Sequence, residues 1–165
     1  MMLSRPSHTS RRGHRLTARL GLALALTVTA SACGGSKPSI EGYLSLRSKI
    51  TVPLHAPDEA SARGTFTTSG AIDDSGSVVD RYKVVGERHL VEHRTYTGRH
   101  GTIVVKVDLR VALTRLLSGT WQIESGTGDY EDLSGKGTVS GSLHDIGAAG
   151  GTLIEDELSG EATTP

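Results

Sequence analysis

Residues 101–113 constrain the fold most strongly, because their apolar side chains recur at every second position. Ile103, Val105, Val107, Leu109, Val111 and Leu113 alternate with Thr102, Val104, Lys106, Asp108, Arg110 and Ala112. Successive side chains of a β-strand point to opposite faces of the sheet. This period of two therefore predicts a strand with one buried and one solvated face.

Other segments have similar strand patterns, separated by turns rich in glycine and aspartate. They are residues 64–72, 77–85, 88–97, 119–125, 136–143 and 151–158. Only residues 111–117 and 129–133 have a helical pattern, and both are short. Seven or eight short strands at this spacing are typical of a barrel or a sandwich. We expect an all-β fold, a small antiparallel barrel of about eight strands.

The N-terminal region has the composition of a secretory signal peptide. Residues 1–32 contain five arginines and no acidic residue, and the thirteen residues 20–32 are uncharged and largely apolar. That run is shorter than the roughly 20 residues that a membrane-spanning helix requires. A basic segment, a short apolar run and then small residues predict a cleaved signal peptide over 1–32. The alternative is an uncleaved amphipathic or buried helix.

The only cysteine, Cys33, follows Ala30, Ser31 and Ala32 directly. This arrangement resembles the lipobox of bacterial lipoproteins, in which small residues precede a cysteine that receives a diacylglycerol. The resemblance implies a lipid on Cys33 and a protein anchored to the membrane of the bacterial cell envelope. The alternative is a lone cysteine after an ordinary signal peptide. Export by the Sec route is the default, although Arg11 and Arg12 also permit the twin-arginine route.

Glycine, serine and proline are frequent after Cys33, at Gly34, Gly35, Ser36, Pro38 and Ser39, with Pro53 and Pro57 further on. Such a composition is typical of a flexible linker. We therefore divide the chain into a signal peptide at 1–32, a linker with the lipid-attachment cysteine at 33–61, and a barrel domain at 62–165. Within the linker, residues 43–46 and 50–52 are compatible with a short strand or with a segment packed on the domain.

The barrel region contains glycine-rich strand and turn motifs that resemble a known group of proteins. The motifs are Gly64-Thr65-Phe66 with Ser69-Gly70-Ala71-Ile72, Arg94-Thr95-Tyr96-Thr97-Gly98 with Gly101-Thr102-Ile103, Gly119-Thr120-Trp121-Gln122-Ile123 with Gly126-Thr127-Gly128-Asp129-Tyr130, and Leu133-Ser134-Gly135 with Gly137-Thr138. Residues 62–162 are similar to the allene oxide cyclase and dirigent-like (calycin-type) barrels. The resemblance implies an eight-stranded barrel with an internal cavity, and it implies no particular reaction.

The sequence His89-Leu90-Val91-Glu92-His93 has the form of an inverted zinc-protease motif. That chemistry requires both histidines on one face of a helix, one turn apart. This segment has the pattern of a strand, in which residues four apart are separated by about 13 Å. We therefore predict a polar strand face rather than a metal site.

The remaining motifs favour turns and solvated surface over chemistry. Gly126-Thr127-Gly128 lacks the third glycine of a dinucleotide-binding loop and is followed by acidic residues. Ser142, His144 and Asp145 are neighbours only in sequence, which is no evidence of a catalytic triad. Trp121 is expected in the core or the cavity wall. We assign no catalytic residue, cofactor or metal ligand.

The formal net charge of zero is the sum of a basic N-terminal segment and an acidic remainder of the chain. Without residues 1–32 the chain has 13 basic and 18 acidic residues, which argues against a nucleic-acid partner. Our interpretation is a lipid-anchored envelope protein whose barrel binds a small apolar ligand or a protein partner. A cyclase- or isomerase-like enzyme acting on an apolar substrate is the alternative, and it requires an ionisable residue inside the barrel with a shifted pKa.

Overall fold

The computed structural model describes residues 37–53, 56–147 and 150–165. Eight strands follow one another along this part of the chain. They are β1 (Glu41–Pro53), β2 (Glu59–Gly70), β3 (Ser75–Gly86), β4 (His89–Thr97), β5 (Thr102–Val111), β6 (Leu116–Gly126), β7 (Ser134–Asp145) and β8 (Gly151–Thr163). A one-turn 3₁₀ helix, Gly128–Tyr130, lies between β6 and β7. The predicted all-β class is confirmed.

The strands form a closed barrel in which each one pairs antiparallel with the next along the chain. β1 and β8 close it, with a continuous register from Glu41 opposite Thr163 to Pro53 opposite Gly151. Closure leaves no unpaired strand edge, which removes the main route by which sheets aggregate. The predicted barrel of about eight antiparallel strands is therefore confirmed.

β1 lies inside the range 33–61 that the sequence pattern predicts as a linker, and β2 also begins there. The barrel thus starts at Glu41 rather than at residue 62. Leu44, Leu46 and Ile50 alternate along β1 and are buried in the core. Of the two alternatives for residues 43–46 and 50–52, the strand is the one observed.

The alternation that identifies the strands also determines which side chains enter the barrel. On β5, Ile103, Val105, Val107 and Leu109 are buried, whereas Lys106, Asp108 and Arg110 are exposed. Residues 111–117 form a hairpin rather than a helix, because β5 ends at Val111 and β6 begins at Leu116. Residues 129–133 contribute only the end of the 3₁₀ helix and the turn after it.

Two facing glycines make room for the only tryptophan inside the barrel. Trp121 on β6 pairs with Gly137 on β7, which in turn pairs with Gly160 on β8. A Cβ atom on Gly137 would lie 2.0 Å from the carbonyl oxygen of Ser159. The indole Nε1 donates a hydrogen bond to that same oxygen at 3.2 Å. Because these strands carry no inward side chain here, Trp121 is buried against them.

One end of the barrel, which we call the plugged end, is closed by a hydrogen-bonded carboxylate. It is the end where β1 begins and β8 finishes. Asp74 Oδ2 accepts a hydrogen bond from the Tyr130 hydroxyl at 2.7 Å, and Oδ1 accepts from the backbone amides of Ser75 and Arg99 at 2.7 and 3.1 Å. Burial alone would raise the pKa of Asp74, but these donors outweigh it and hold that pKa well below its ordinary value. Asp74 therefore links the turn before β3, the turn after β4 and the 3₁₀ helix.

The opposite end, which we call the distal end, carries the hairpins that join β1 to β2, β3 to β4, β5 to β6, and β7 to β8. Several large apolar side chains are exposed there, namely Val84, Val85, Leu113, Leu116 and Ile146. Leu113, at the tip of the β5–β6 hairpin, is 79% exposed. Within the described ranges, none of the helical segments has the length and hydrophobicity to cross a membrane.

Candidate functional site

β4 separates the residues of the zinc-protease-like motif onto the two faces of the barrel wall. His89 and His93 lie on the outer face, where His89 Nε2 is 2.9 Å from Asp108 Oδ1 and His93 Nδ1 is 2.9 Å from Glu124 Oε2. Glu92, between them in sequence, is fully buried inside. Across residues 37–53, 56–147 and 150–165, no group of three or more His, Cys, Asp or Glu side chains is placed to hold a metal ion.

A cluster of four charged side chains, which we call the interior cluster, occupies the middle of the barrel. It consists of Asp80 on β3, Glu92 and Arg94 on β4, and Asp156 on β8, all at most 5% exposed. Arg94 lies at its centre: Nη2 is 2.6 Å from Glu92 Oε2, Nη1 is 2.7 Å from Asp156 Oδ2, and Nε is 3.7 Å from Asp80 Oδ2. One guanidinium thus faces three carboxyl groups.

The short distances inside the cluster are charge contacts without aligned hydrogen bonds. Among the described residues, neither oxygen of Asp80, Glu92 or Asp156 has a hydrogen-bond partner, and neither do Nε and Nη2 of Arg94. The Arg94 Nη1 group donates to the Tyr96 hydroxyl at 3.4 Å, and the hydroxyls of Tyr96 and Ser48 are 3.3 Å apart. Unsatisfied polar atoms in a barrel interior are costly. Native structures usually satisfy such atoms with water or a ligand.

Burial shifts the titration of Asp80 and Glu92 toward their neutral forms. It raises the pKa of Asp80 to about 8, the negative charge of Glu92 adds to the increase, and Arg94 opposes it. Burial likewise raises the pKa of Glu92, with Arg94 again opposing. Burial alone would lower the pKa of Arg94, but the carboxylates, Glu92 foremost, raise it well above its ordinary value. The cluster therefore retains its cation and favours protons on Asp80 and Glu92.

A cavity of about 180 Å³ lies next to the interior cluster, toward the distal end. Its wall is mainly aliphatic, with side chains from six strands: Val52, Leu90, Leu109, Val111, Leu117, Leu143 and Ile154. Three polar residues complete it, Tyr82, Glu92 and Thr152. Tyr82 and Glu92 are paired across β3 and β4. The cavity therefore has an apolar wall with one polar side, where it meets the charged cluster.

The apolar surface of the cavity continues onto the exposed rim of the distal end. Leu117 and Val111, which line the cavity, adjoin the β5–β6 hairpin with the exposed Leu113 and Leu116. On the β7–β8 side, Leu143 lines the cavity, and Ile146 is exposed three residues later. An apolar molecule that enters from this end would thus meet apolar side chains along its path.

Other residues considered in the sequence do not come together as a site. Ser142 and His144 contact each other on the barrel surface at 2.8 Å, but Asp145 pairs instead with Arg115. Residues 126–128 lead into the 3₁₀ helix as a turn. Cys33, the predicted lipid-attachment residue, lies outside the described residues.

Sequence reasoning overlooked Asp80, Glu92, Arg94 and Asp156 as a group. The sequence does indicate that these side chains point inward, because Asp80 has the same parity as the buried Val78 and Tyr82 on β3. Glu92 and Arg94 likewise share the parity of Leu90 and Tyr96 on β4. Charged residues at the inward positions of a strand mark a polar interior. Their convergence could be seen only once the barrel was closed.

These features define a class of protein: a closed eight-stranded up-and-down barrel with a charged interior and a small apolar cavity at one end. No family model, curated protein or solved structure matches the chain.

Proposed function

We propose that this chain is a cell-envelope protein, anchored by a lipid on Cys33, whose barrel binds a small apolar molecule in the cavity at the distal end. The observation that carries the binding proposal is the 180 Å³ cavity with its aliphatic wall. An engineered apolar cavity of about 150 Å³ in another protein stays dry and binds benzene. The volume here accordingly suits a single six-membered ring or the end of a longer chain.

The binding proposal can be tested with toluene as a probe and isothermal titration calorimetry on the protein that begins at Cys33. We expect saturable binding of one molecule. Leu143→Phe, which adds volume inside the cavity, should weaken it at least tenfold. Leu113→Phe makes the same replacement on the exposed hairpin tip and serves as the matched control. Absence of saturable binding, or equal effects of the two variants, would contradict the proposal.

The anchoring proposal rests on the leader-like residues 1–32 and on the small residues before Cys33. Two or more acyl chains hold a protein stably on a bilayer, because each buried CH₂ contributes about 0.8 kcal/mol. Mass spectrometry of the full-length product expressed in bacteria measures the modification directly. A mass that includes the lipid on Cys33 is the expected result, and a free thiol at Cys33 would refute it.

A second candidate function is a cyclase- or isomerase-like enzyme that acts on the bound molecule. It is favoured by Glu92, an ionisable side chain with a raised pKa that lines the cavity. Such a group can exchange protons with a ligand. Incubation with cyclohexanone in D₂O, followed by NMR, tests for this chemistry. Deuterium incorporation faster than in the Glu92→Gln variant would support catalysis, and equal rates would argue against it.

A further inference from the structure

The polar side of the cavity, formed by Tyr82 and Glu92, indicates which functional group a ligand needs. Tyr82 and Glu92 are cross-strand partners on β3 and β4, and both line the cavity. Glu92 is fully buried; its Oε2 lies 2.6 Å from Arg94 Nη2, whereas its Oε1 has no hydrogen-bond partner in the described part of the chain. A buried polar atom without a partner is destabilising. A ligand that supplied the missing partner would relieve this.

The charges around Glu92 limit what that partner can be. Burial favours the protonated forms of Asp80 and Glu92, so the cluster has little net charge beside the Arg94 cation. A carboxylate, a phosphate or a cationic amine would each add a charge that the cluster does not compensate. Moving either kind of ion from water into an aliphatic cavity also carries a large desolvation penalty. A neutral group that can donate or accept a hydrogen bond meets neither obstacle.

We propose that the ligand is a small neutral molecule, about the size of one six-membered ring, with a hydroxyl or carbonyl oxygen that hydrogen-bonds to the Tyr82 hydroxyl and the Glu92 carboxyl. This inference rests on the proposed function, since it assumes that the cavity is the binding site. It goes further by specifying the chemical class and the orientation of the ligand. The ring contacts the aliphatic wall, and the oxygen points toward the interior cluster.

The test compares methylcyclohexane with cyclohexanol, two probes of similar size that differ by the oxygen. The measured quantity is the change, from wild type to variant, in the ratio of their dissociation constants; the difference in the solvation of the two probes cancels in this comparison. In Tyr82→Phe and in Glu92→Leu, cyclohexanol should bind about tenfold more weakly relative to methylcyclohexane than it does in wild type. This is the effect of one lost buried hydrogen bond. Tyr43→Phe, the same exchange at an exposed tyrosine outside the cavity lining, is the matched control for Tyr82→Phe and should keep the ratio within about threefold.

The possible outcomes separate this inference from the proposed function. If both probes bind and the ratio stays unchanged in Tyr82→Phe and in Glu92→Leu, the oxygen assignment is wrong while the cavity remains the site. If Glu92→Leu does not fold, an unchanged ratio in Tyr82→Phe alone overturns the assignment. Tighter binding of cyclohexylammonium than of cyclohexanol also overturns it. If neither the hydrocarbon nor the alcohol binds, the proposed function and this inference both fall.

Discussion

Replacing Arg94 by methionine should destabilise the barrel strongly. The guanidinium is fully buried and lies 2.6 and 2.7 Å from carboxylate oxygens of Glu92 and Asp156. Methionine fills much of the same volume but leaves the carboxyl groups without a cation. Their mutual repulsion then acts in a site that water barely reaches.

The size of the effect follows from the cost of an uncompensated buried charge. At an effective dielectric constant of about 20, each contact near 2.7 Å contributes roughly 6 kcal/mol, most of which offsets the desolvation of the ions. Breaking such a cluster by removing one partner typically lowers the free energy of unfolding by about 3–5 kcal/mol. For a domain of this size, that corresponds to a decrease in Tm of roughly 10–20 °C.

The assay is urea unfolding followed by circular dichroism, at about pH 5 and about pH 8. The destabilisation should be smaller at the lower pH, because Asp80, whose pKa is raised to about 8, and Glu92 then gain protons. Arg110→Met on the exposed face of β5 is the matched control and should change stability by less than about 0.5 kcal/mol.

Two results would refute this reasoning. One is a loss of less than about 1 kcal/mol at pH 8, which would mean that the cluster is solvated or repacks without its cation. The other is an equal loss at both pH values. If Arg94→Met does not fold, the same exchange combined with Glu92→Gln and Asp156→Asn should recover the folded protein, because the repelling charges are then absent.

Three further predictions concern single residues. The protein should lose stability as the pH rises from about 5 to about 9, because the unfolded chain has released the Asp80 proton while the folded protein still holds it, up to a pKa of about 8. Urea midpoints measured across this range should depend less on pH in Asp80→Asn. An unchanged pH dependence in that variant would contradict the assignment. Asp74→Asn should lower the free energy of unfolding by about 3 kcal/mol through its lost charged hydrogen bonds, against almost no change in the exposed control Asp73→Asn. Because the pKa of Asp74 is lowered in the folded protein, its effect on the pH dependence of stability is opposite to that of Asp80. Asp74 contributes fully to stability above the ordinary pKa of an aspartate, and this contribution is lost as the pH falls below that value. Acid unfolding of wild type and of Asp74→Asn would measure the difference. Gly137→Ala should lower Tm by more than 5 °C in a thermal scan, roughly the effect of 1–3 kcal/mol of overpacking, since its Cβ would lie 2.0 Å from the carbonyl oxygen of Ser159; an unshifted Tm would mean that β7 and β8 can separate here.

Most strands could be predicted because alternation is a local property of the chain. β5 extends over most of the segment with the clearest period of two, β3, β6, β7 and β8 each contain a predicted segment, and β4 covers the predicted segment 88–97 except for Arg88. β1 was harder to recognise, because Pro38, Pro53 and the serines near it resemble a linker composition. Its assignment depends on pairing with β2 and β8, which are distant in sequence.

The candidate site shows the limit of local reasoning more clearly. The motif around Glu92 drew attention to His89 and His93, which lie outside the barrel, whereas the buried Glu92 is the residue that lines the cavity. The alternation along β4 already distinguishes Glu92 from the two histidines, because residues of opposite parity face opposite sides of a sheet. The pattern could not indicate that the inner side would line a cavity at one end of a barrel.

The sequence alone determined the strand content, the positions of most turns and the parity of each side chain, because these depend on neighbours a few residues apart. Only the tertiary structure decided that β1 pairs with β8, which brings Asp156 across the barrel to Arg94. The same closure placed Tyr82 and Glu92 beside an aliphatic cavity with walls from β1, β4, β5, β6, β7 and β8. Convergence of this kind depends on the register and curvature of all eight strands together, which no single segment encodes.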